Sequence, residues 1–359
     1  FLFRLPGTAH GGEPVRFSLR NPINSLFLPC FKTYLIIPCH MNKEVVIGID
    51  IGGTFTKYGI ADKGGTLFVE DTIRTDTFDS IDDFVAALKK HLYLNVEKEG
   101  DNFDIKGIGV GAPNGNYYTG SIEYAPNLPW KGVIHFTEIL EKHFQLPSVL
   151  TNDANAAALG EMIFGDAKDM RNFLMITLGT GLGSGLVVNG NLVYGHDGFA
   201  GELGHVNIVE NGRKCGCGKR GCLETYVSAS GIKRTIYELL ATENDESSFR
   251  GICFNELESI DITKAAEKGD PIAIKAFDMT GELLGKSLAD TVAHISPEAI
   301  FLFGGLARAG KWIFEPARRS MEENLLEVFR NKIEILPSAL LDKNIAVLGA
   351  AALMWKELN

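Results

Sequence analysis

One pattern, present twice, constrains the fold of this chain more than any other feature. Val45 to Ile51 is an apolar run, Gly52-Gly53-Thr54 breaks it, Phe55 to Ala61 resumes it, Lys63-Gly64-Gly65 turns, and Thr66 to Arg74 completes a three-strand meander. The same grammar returns later. Asn172 to Leu178 reads as a strand, Gly179-Thr180-Gly181-Leu182-Gly183 as a glycine turn, Ser184 to Val188 as a strand, Asn189-Gly190-Asn191 as a tight turn, and Leu192 onward as a third strand. A supersecondary unit that recurs in one chain predicts two halves built on one plan.

Helical stretches separate the strands. Ser80 to Leu94 places Ile81, Phe84, Val85, Leu88 and Leu92 on one stripe, with Ser80 as the N-cap. Ile105 to Val110 and Ser148 to Leu150 are expected strands, and Asp153 to Ile163 is an Ala-rich helix. Further on, the pattern predicts a helix over Gly281 to His294, a strand over Ala299 to Phe303, a helix over Ala309 to Phe329, a strand over Ile333 to Leu336 and a last helix over Ile345 to Leu358. Alternating strands and helices imply a mixed α/β architecture. A chain of 359 residues, 45% of them hydrophobic, has material for two cores.

Charge excludes some function classes. The net charge of −10, with scattered lysines and arginines, argues against a nucleic-acid surface. No run approaches the roughly 18 apolar residues of a membrane-spanning helix, so no membrane partner is expected. Residues 1–41 differ from the rest. Pro6, Pro14, Pro22, Pro29 and Pro38 interrupt Phe1 to His40, where Glu13 is the one acidic residue, and Met41 follows. They are expected to form a poorly structured extension with Met41 as the natural start; Lys32 and the prolines spoil the apolar core that a secretory signal would need.

Chemistry concentrates between Gly201 and Glu224. Gly201-Glu202-Leu203-Gly204-His205 is followed by Cys215, Cys217 and Cys222, and one imidazole with three thiols can close a tetrahedral zinc shell of the structural kind. Disulfides are the alternative, but Cys215 and Cys217 are too close to pair readily and one thiol would be left over. Glu202 and Glu224 flank the site without fitting its thiol-rich shell, which leaves them free to accept hydrogen bonds from a polyhydroxylated ligand.

The glycine turns suit phosphates. At the tip of the first hairpin, Asp50, Gly52, Gly53 and Thr54 allow close backbone approach to an anion and add a hydroxyl donor, with Asp50 facing metal-bound phosphates. Neither a Walker loop nor a dinucleotide fingerprint fits, because no Lys follows the glycines and a strand stands where a helix should. Gly179, Thr180, Gly181 and Gly183 form the equivalent turn, so that two turns would clasp a triphosphate. Gly304-Gly305 follows a strand and opens a helix, a place for backbone to pack on a nucleoside. Asn152 and Asp153 open the Ala-rich helix: either can cap it, and a carboxylate there can also take a proton from an attacking hydroxyl. Asn127 lies on a loop able to reach the same space, or is an ordinary turn residue.

Together these residues resemble the sugar kinases of the ROK family (repressor, open reading frame, kinase), over nearly all of Glu44 to Asn359. The resemblance rests on Asp50 to Thr54, Asn127, Asn152-Asp153, Gly179 to Gly185, Gly201 to His205 and Cys215 to Glu224. It implies the actin-like ATPase (ribonuclease H-like) fold, two duplicated α/β domains with an interdomain cleft. Residues 42–152 with about 340–359 would form the smaller domain and 153–339 the larger, zinc-bearing one. It further implies that Asp153 is the catalytic base, that Asn127, Asn152, Glu202, His205 and Glu224 contact sugar hydroxyls, and that His205, Cys215, Cys217 and Cys222 hold Zn²⁺. His205 would serve both metal and sugar, one ring nitrogen for each. The implied reaction is ATP- and Mg²⁺-dependent phosphorylation of a hexose at its 6-hydroxyl, glucose first, by a cytoplasmic homodimer. An N-acetylmannosamine or other hexosamine kinase is the alternative, and a sugar-sensing regulator a more distant one. The family's sugar loop usually reads Gly-Ala-Pro-Gly, and this chain departs from it at Asn114 in Gly111-Ala112-Pro113-Asn114-Gly115.

Overall fold

The computed structural model describes residues 42–100, 102–341 and 344–358; the expectations for residues 1–41 lie outside them. The first copy of the repeat folds as β1 (Lys43–Ile51), β2 (Phe55–Ala61) and β3 (Leu67–Arg74). Helix α1 (Ile81–Glu99) leads to β4 (Phe103–Ala112). A small sheet of β5 (Gly115–Asn116), β6 (Ser121–Glu123) and β7 (Val133–Ile134) precedes α2 (Phe136–Phe144), β8 (Ser148–Asn152) and α3 (Asp153–Phe164). The second copy is β9 (Phe173–Leu178), β10 (Leu182–Val188) and β11 (Asn191–Leu192). After a long loop come α4 (Ala229–Thr242), α5 (Ser259–Glu267), α6 (Pro271–Ile295), β12 (Ala299–Phe303), α7 (Lys311–Asn324), β13 (Glu334–Pro337) and α8 (Ile345–Glu357).

The two main sheets match strand for strand. Their orders are β3-β2-β1-β4-β8 and β11-β10-β9-β12-β13. In each, the hairpin strands pair antiparallel and the two strands beyond the first pair parallel. Each sheet has its own core: Ile47, Ile49, Tyr58, Phe84 and Phe136 in the first, Leu174, Ile176, Phe277, Leu284 and Ile300 in the second. Helix α1 shows how sequence sets such an element. Phe84, Val85, Leu88 and Leu92 bury one stripe, the Ser80 hydroxyl accepts from Asp83 N, and Gly100, at φ 67°, ends the helix.

The last helix of each half crosses to the other half. Helix α8 lies on β1, β2, β4 and β8, whereas α3 lies on β9 and β10, and the two helices pack together. Both are Ala-rich and buried almost all round, because they serve two sheets at once. Contact is close enough to demand glycine. A Cβ on Gly109 would stand 1.8 Å from the Ala350 carbonyl oxygen, and one on Gly349 2.2 Å from that of Ala156.

Several expectations are corrected. The third strand of the second copy is only Asn191–Leu192, because Gly195 and Gly198 adopt φ 77° and 93° and turn the chain out of the sheet. The helix expected over Ala309 to Phe329 is shorter. Gly310, at φ 58°, separates a 3-10 turn at Ala307–Ala309 from α7, and extended Leu325 ends that helix. Gly304-Gly305 therefore leads into a 3-10 turn and not directly into an α-helix. Gly281 to His294 is part of a longer α6 that starts after Asp270, whose carboxylate accepts from Ile272 N and Ala273 N. Helices α2, α4 and α5 and the β5–β7 sheet were not foreseen.

Candidate active site and metal centre

Sheet register assembles the first part of the site. At the carboxyl ends of three neighbouring strands, Asp50 of β1 pairs with Gly111 of β4, and Gly111 pairs with Thr151 of β8, one residue before Asn152-Asp153. The middle strand is bare here. A Cβ on Gly111 would lie 3.6 Å from Asp153 Cα and 4.0 Å from Asp50 Oδ1, so glycine lets the two carboxylates face the same space.

Asn152 and Asp153 both cap α3, their Oδ1 atoms accepting from Ala154 N at 2.8 and 2.9 Å. One oxygen of Asp153 remains for other work. The residue is exposed at the surface, yet desolvation by surrounding protein holds its carboxyl above the ordinary range, opposed by the Ala154 N–H. Those two facts together describe a group on the wall of a recess. Asp50 is pushed up to about 7, first by burial and then by the negative charge of Asp153, against the pull of Lys57. Among the described residues its carboxylate has no hydrogen-bond partner.

The long loop after β11 supplies the second part. His205 ends a 3-10 turn (Leu203–His205), Cys215 N donates to Lys219 O in a tight turn, and Cys222 opens a second 3-10 turn (Leu223–Thr225). The donor atoms of His205, Cys215, Cys217 and Cys222 all lie within 4.8 Å of one another. Cys215 Sγ is 3.7 Å from His205 Nδ1, and Cys217 Sγ is 3.7 Å from Cys222 Sγ. Zinc–sulfur bonds of about 2.3 Å give a tetrahedron with edges of about 3.8 Å. A disulfide needs about 2.05 Å, so the thiols are unpaired, as all three are free.

His205 turns its other nitrogen to the recess: Nε2 lies 3.9 Å from Glu202 Oε2. The Glu202 carboxyl is raised, first by burial and then by the charges of Asp153 and Glu224, while His205 opposes the shift. Glu202 thus senses both parts of the site. Glu224 is less free than expected. Its Oε2 accepts from Leu182 N at 3.1 Å and its Oε1 lies 3.8 Å from Cys215 Sγ. It also fills the space beside Gly181, where a Cβ would stand 2.3 Å from Oε2.

Each glycine turn joins this cluster from its own half. Gly53 lies against the Asn127 carbonyl, 2.5 Å from where its Cβ would be, so the exposed Asn127 loop and the first turn share one wall. The second turn is anchored by Glu224 and by the start of α4. Ala229 N donates to Gly179 O at 2.9 Å and Ser230 Oγ to Thr180 O at 2.8 Å, which sets the positive end of a helix dipole beside the turn. Gly304, at φ 104°, packs on the Leu178 carbonyl, and a Cβ on Gly305 would lie 4.0 Å from Ser259 Oγ of α5. Asn114 adopts φ 51°, a left-handed backbone that asparagine tolerates. Lys57 and Ser230 escaped the sequence reading; Ser228-Ala229-Ser230-Gly231 was a legible helix start. Two other surface recesses, of about 490 Å³ beside α7 and about 770 Å³ beside the start of α6, contain none of these residues. No helix among the described residues is long and apolar enough to cross a membrane.

The chain is similar to known proteins. A family model described as ROK family matches residues 46–357. A glucokinase of Halalkalibacterium halodurans is 34% identical over 328 residues, covering 89% of this chain and 97% of that protein. The xylose repressor of Bacillus spizizenii is 28% identical over 310 residues, or 86% of this chain and 76% of the repressor. Among solved structures, a ROK family glucokinase from Streptomyces griseus in complex with glucose and AMPPNP superposes with a TM-score of 0.73 at 31% identity, over 86% of this chain and 98% of that one.

Proposed function

The chain belongs to the ROK family and has its actin-like ATPase fold, and on that premise we propose that this ATP-dependent sugar kinase phosphorylates the 6-hydroxyl of a hexose, with glucose as its substrate. One observation carries the reading. The Glu202 carboxyl is held up by burial and by the charges of Asp153 and Glu224, with His205 opposing, which supports a base and a set of sugar-binding groups sharing one recess. Asp153 accepts the proton of the 6-hydroxyl as that oxygen attacks the γ-phosphorus in line and the bond to the ADP oxygen breaks. Asn127, Asn152, Glu202, His205 and Glu224 hold the other hydroxyls. Gly52, Gly53, Thr54, Gly179, Thr180, Gly181 and Gly183 receive the phosphates, and Gly304-Gly305 the nucleoside.

The Asp50 carboxylate, raised to about 7 and without a hydrogen-bond partner among the described residues, suits a neighbouring cation. Mg²⁺ bound with ATP supplies charge compensation on the phosphoryl oxygens. The 3.7 Å spacings within the His205, Cys215, Cys217 and Cys222 set support a structural Zn²⁺ there. Residues 42–152 with about 340–359 form one lobe and 153–339 the other, α3 being the helix of the first repeat that packs in the second lobe with Asp153 at the junction, and closure of the lobes excludes water from the phosphoryl group. Homodimerisation is carried over from the family and is read by light scattering. A regulator like the xylose repressor would need no base, whereas the desolvated Asp153 supports an enzyme.

ADP release measured with glucose, mannose, fructose, N-acetylglucosamine and N-acetylmannosamine tests the proposal. Glucose is expected to give the highest kcat/KM. Tight hexose binding with no sugar-dependent ADP release would move the chain to the regulators, and a preference for N-acetylmannosamine would move it to the hexosamine kinases.

A further inference from the structure

The segment that delivers Glu202 has almost no regular structure of its own. From residue 193 to residue 202 it belongs to no helix or strand, and Gly195, Gly198 and Gly201 adopt φ 77°, 93° and 97°. Something else must fix its position. At its far end, Gly201 O accepts the Ser184 hydroxyl and Leu203 N. At its near end Val193 N donates to Leu186 O of β10, and beyond that bond the contacts come from the other half of the molecule, from the hairpin that directly continues Asn114-Gly115.

Asn116 is the centre of those contacts and is only 3% exposed. Its Nδ2 donates to Asp197 O at 2.9 Å and to Glu123 Oε1 at 3.0 Å, while its Oδ1 accepts from Tyr118 N at 3.0 Å. Both ends of the amide are used, so a flipped amide would lose all three bonds. Gly198 packs directly on it, 2.4 Å separating Asn116 Oδ1 from where a Cβ would be. Tyr118 OH donates to Gly195 O at 2.9 Å. Tyr117 stacks on Tyr194, centroids 4.1 Å apart and planes 5° from parallel, and its hydroxyl donates to Glu357 of α8 at 2.8 Å.

We infer that Asn116, supported by Tyr117 and Tyr118, is a positioning latch that sets the distance between the Asn114-Gly115 loop and Glu202, and so sets hexose affinity without touching the sugar. This rests on the hexose-kinase reading, in which Glu202 meets a sugar hydroxyl. The latch acts on one substrate only. The nucleotide turns are held by separate contacts, through Asn127, Glu224 and the start of α4, so ATP binding is independent of it.

Steady-state kinetics on the full chain, with hexose and ATP varied separately, test the latch. Sugar-dependent turnover by the unaltered protein tests the kinase reading, and only ratios between variants and that protein test the latch. Asn116→Ala is expected to raise the hexose KM by roughly 10-fold while kcat and the ATP KM stay within about twofold. Tyr118→Phe, which deletes one hydrogen bond at an exposed residue, is expected to raise it about two- to fivefold. In a Glu202→Ala background, Asn116→Ala should change the hexose KM by less than about twofold, because the positioned group is gone. Full additivity in that background, or loss of kcat and ATP affinity in step with hexose affinity, would overturn the latch. If Asn116→Ala does not fold, Tyr118→Phe decides alone, and an unmoved hexose KM rejects the inference.

Discussion

In the first half, the strand that enters the glycine turn carries Asp50 two residues before Gly52; in the second half, the corresponding residue before Gly179 is Thr177. The difference is one of charge. Asp50 is a desolvated carboxylate beside a second one, Asp153, whereas the Thr177 hydroxyl simply accepts from Gly183 N at 3.2 Å and closes its own turn. The halves also diverge after the third strand. There β3 leads to an amphipathic helix, while β11 leads to the loop that bears Glu202, His205 and the three cysteines. Duplication supplied two similar sheets; on the proposed reading, divergence put proton-accepting groups on one and a metal-pinned recognition loop beside a helix dipole on the other, so that neither half holds a complete site.

The sharpest way to break this comparison is to neutralise the first half's proposed base. Asp153→Asn keeps the Asn152 cap on α3 and should lower kcat by about 10³-fold while folding is retained, as checked by ADP release and calorimetry; a variant within about 10-fold of normal turnover would take Asp153 out of the mechanism. The second half's counterpart is its proposed zinc site. Replacing Cys217 and Cys222 with Ser should abolish stoichiometric zinc by elemental analysis and raise the hexose KM by about 10- to 100-fold, with a much smaller change in ATP KM.

Packing gives a smaller, structural contrast. Gly109→Ala puts a Cβ 1.8 Å from a helix carbonyl of α8, whereas Gly185→Ala meets the Ala158 side chain at 2.7 Å and the Ala154 carbonyl at 2.8 Å of α3. Both should destabilise by about 1–3 kcal/mol in denaturant titrations, Gly109→Ala by more. Titration gives the smallest effect. A carboxyl whose pKa is raised by folding binds protons more tightly folded than unfolded, so its contribution to stability falls as pH rises from about 3.9, the value in an unfolded chain. For Asp50 that loss runs to about 7. Asp50→Asn should therefore raise Tm at pH 8 by a few degrees, corresponding to about 1 kcal/mol, and change it little at pH 4. Equal effects at both pH values would remove Asp50 as the source.

Much of this was legible because it is local. The Phe55–Ala61 and Ala299–Phe303 strands stand between glycines and turn residues, and the Ser80 cap announces α1, so boundaries followed directly from the chain. The cysteine spacing likewise pointed to one cluster. What escaped depends on contacts distant in sequence. The bond from Leu182 N to Glu224 and the grip of Asn116 on Asp197 have no local signature. Helix α7 was drawn too long because its apolar pattern runs on past Gly310 and Leu325, where backbone conformation and not composition ends the helix.

The central claim is that both halves act on one sugar. A crystal structure of the protein with glucose and a non-hydrolysable ATP analogue tests it most directly. The expected result is glucose O6 within about 3 Å of an Asp153 carboxylate oxygen, with its other hydroxyls bonded to Glu202 and His205. Glucose bound with O6 beyond reach of Asp153, or held by residues of one half alone, would contradict the account.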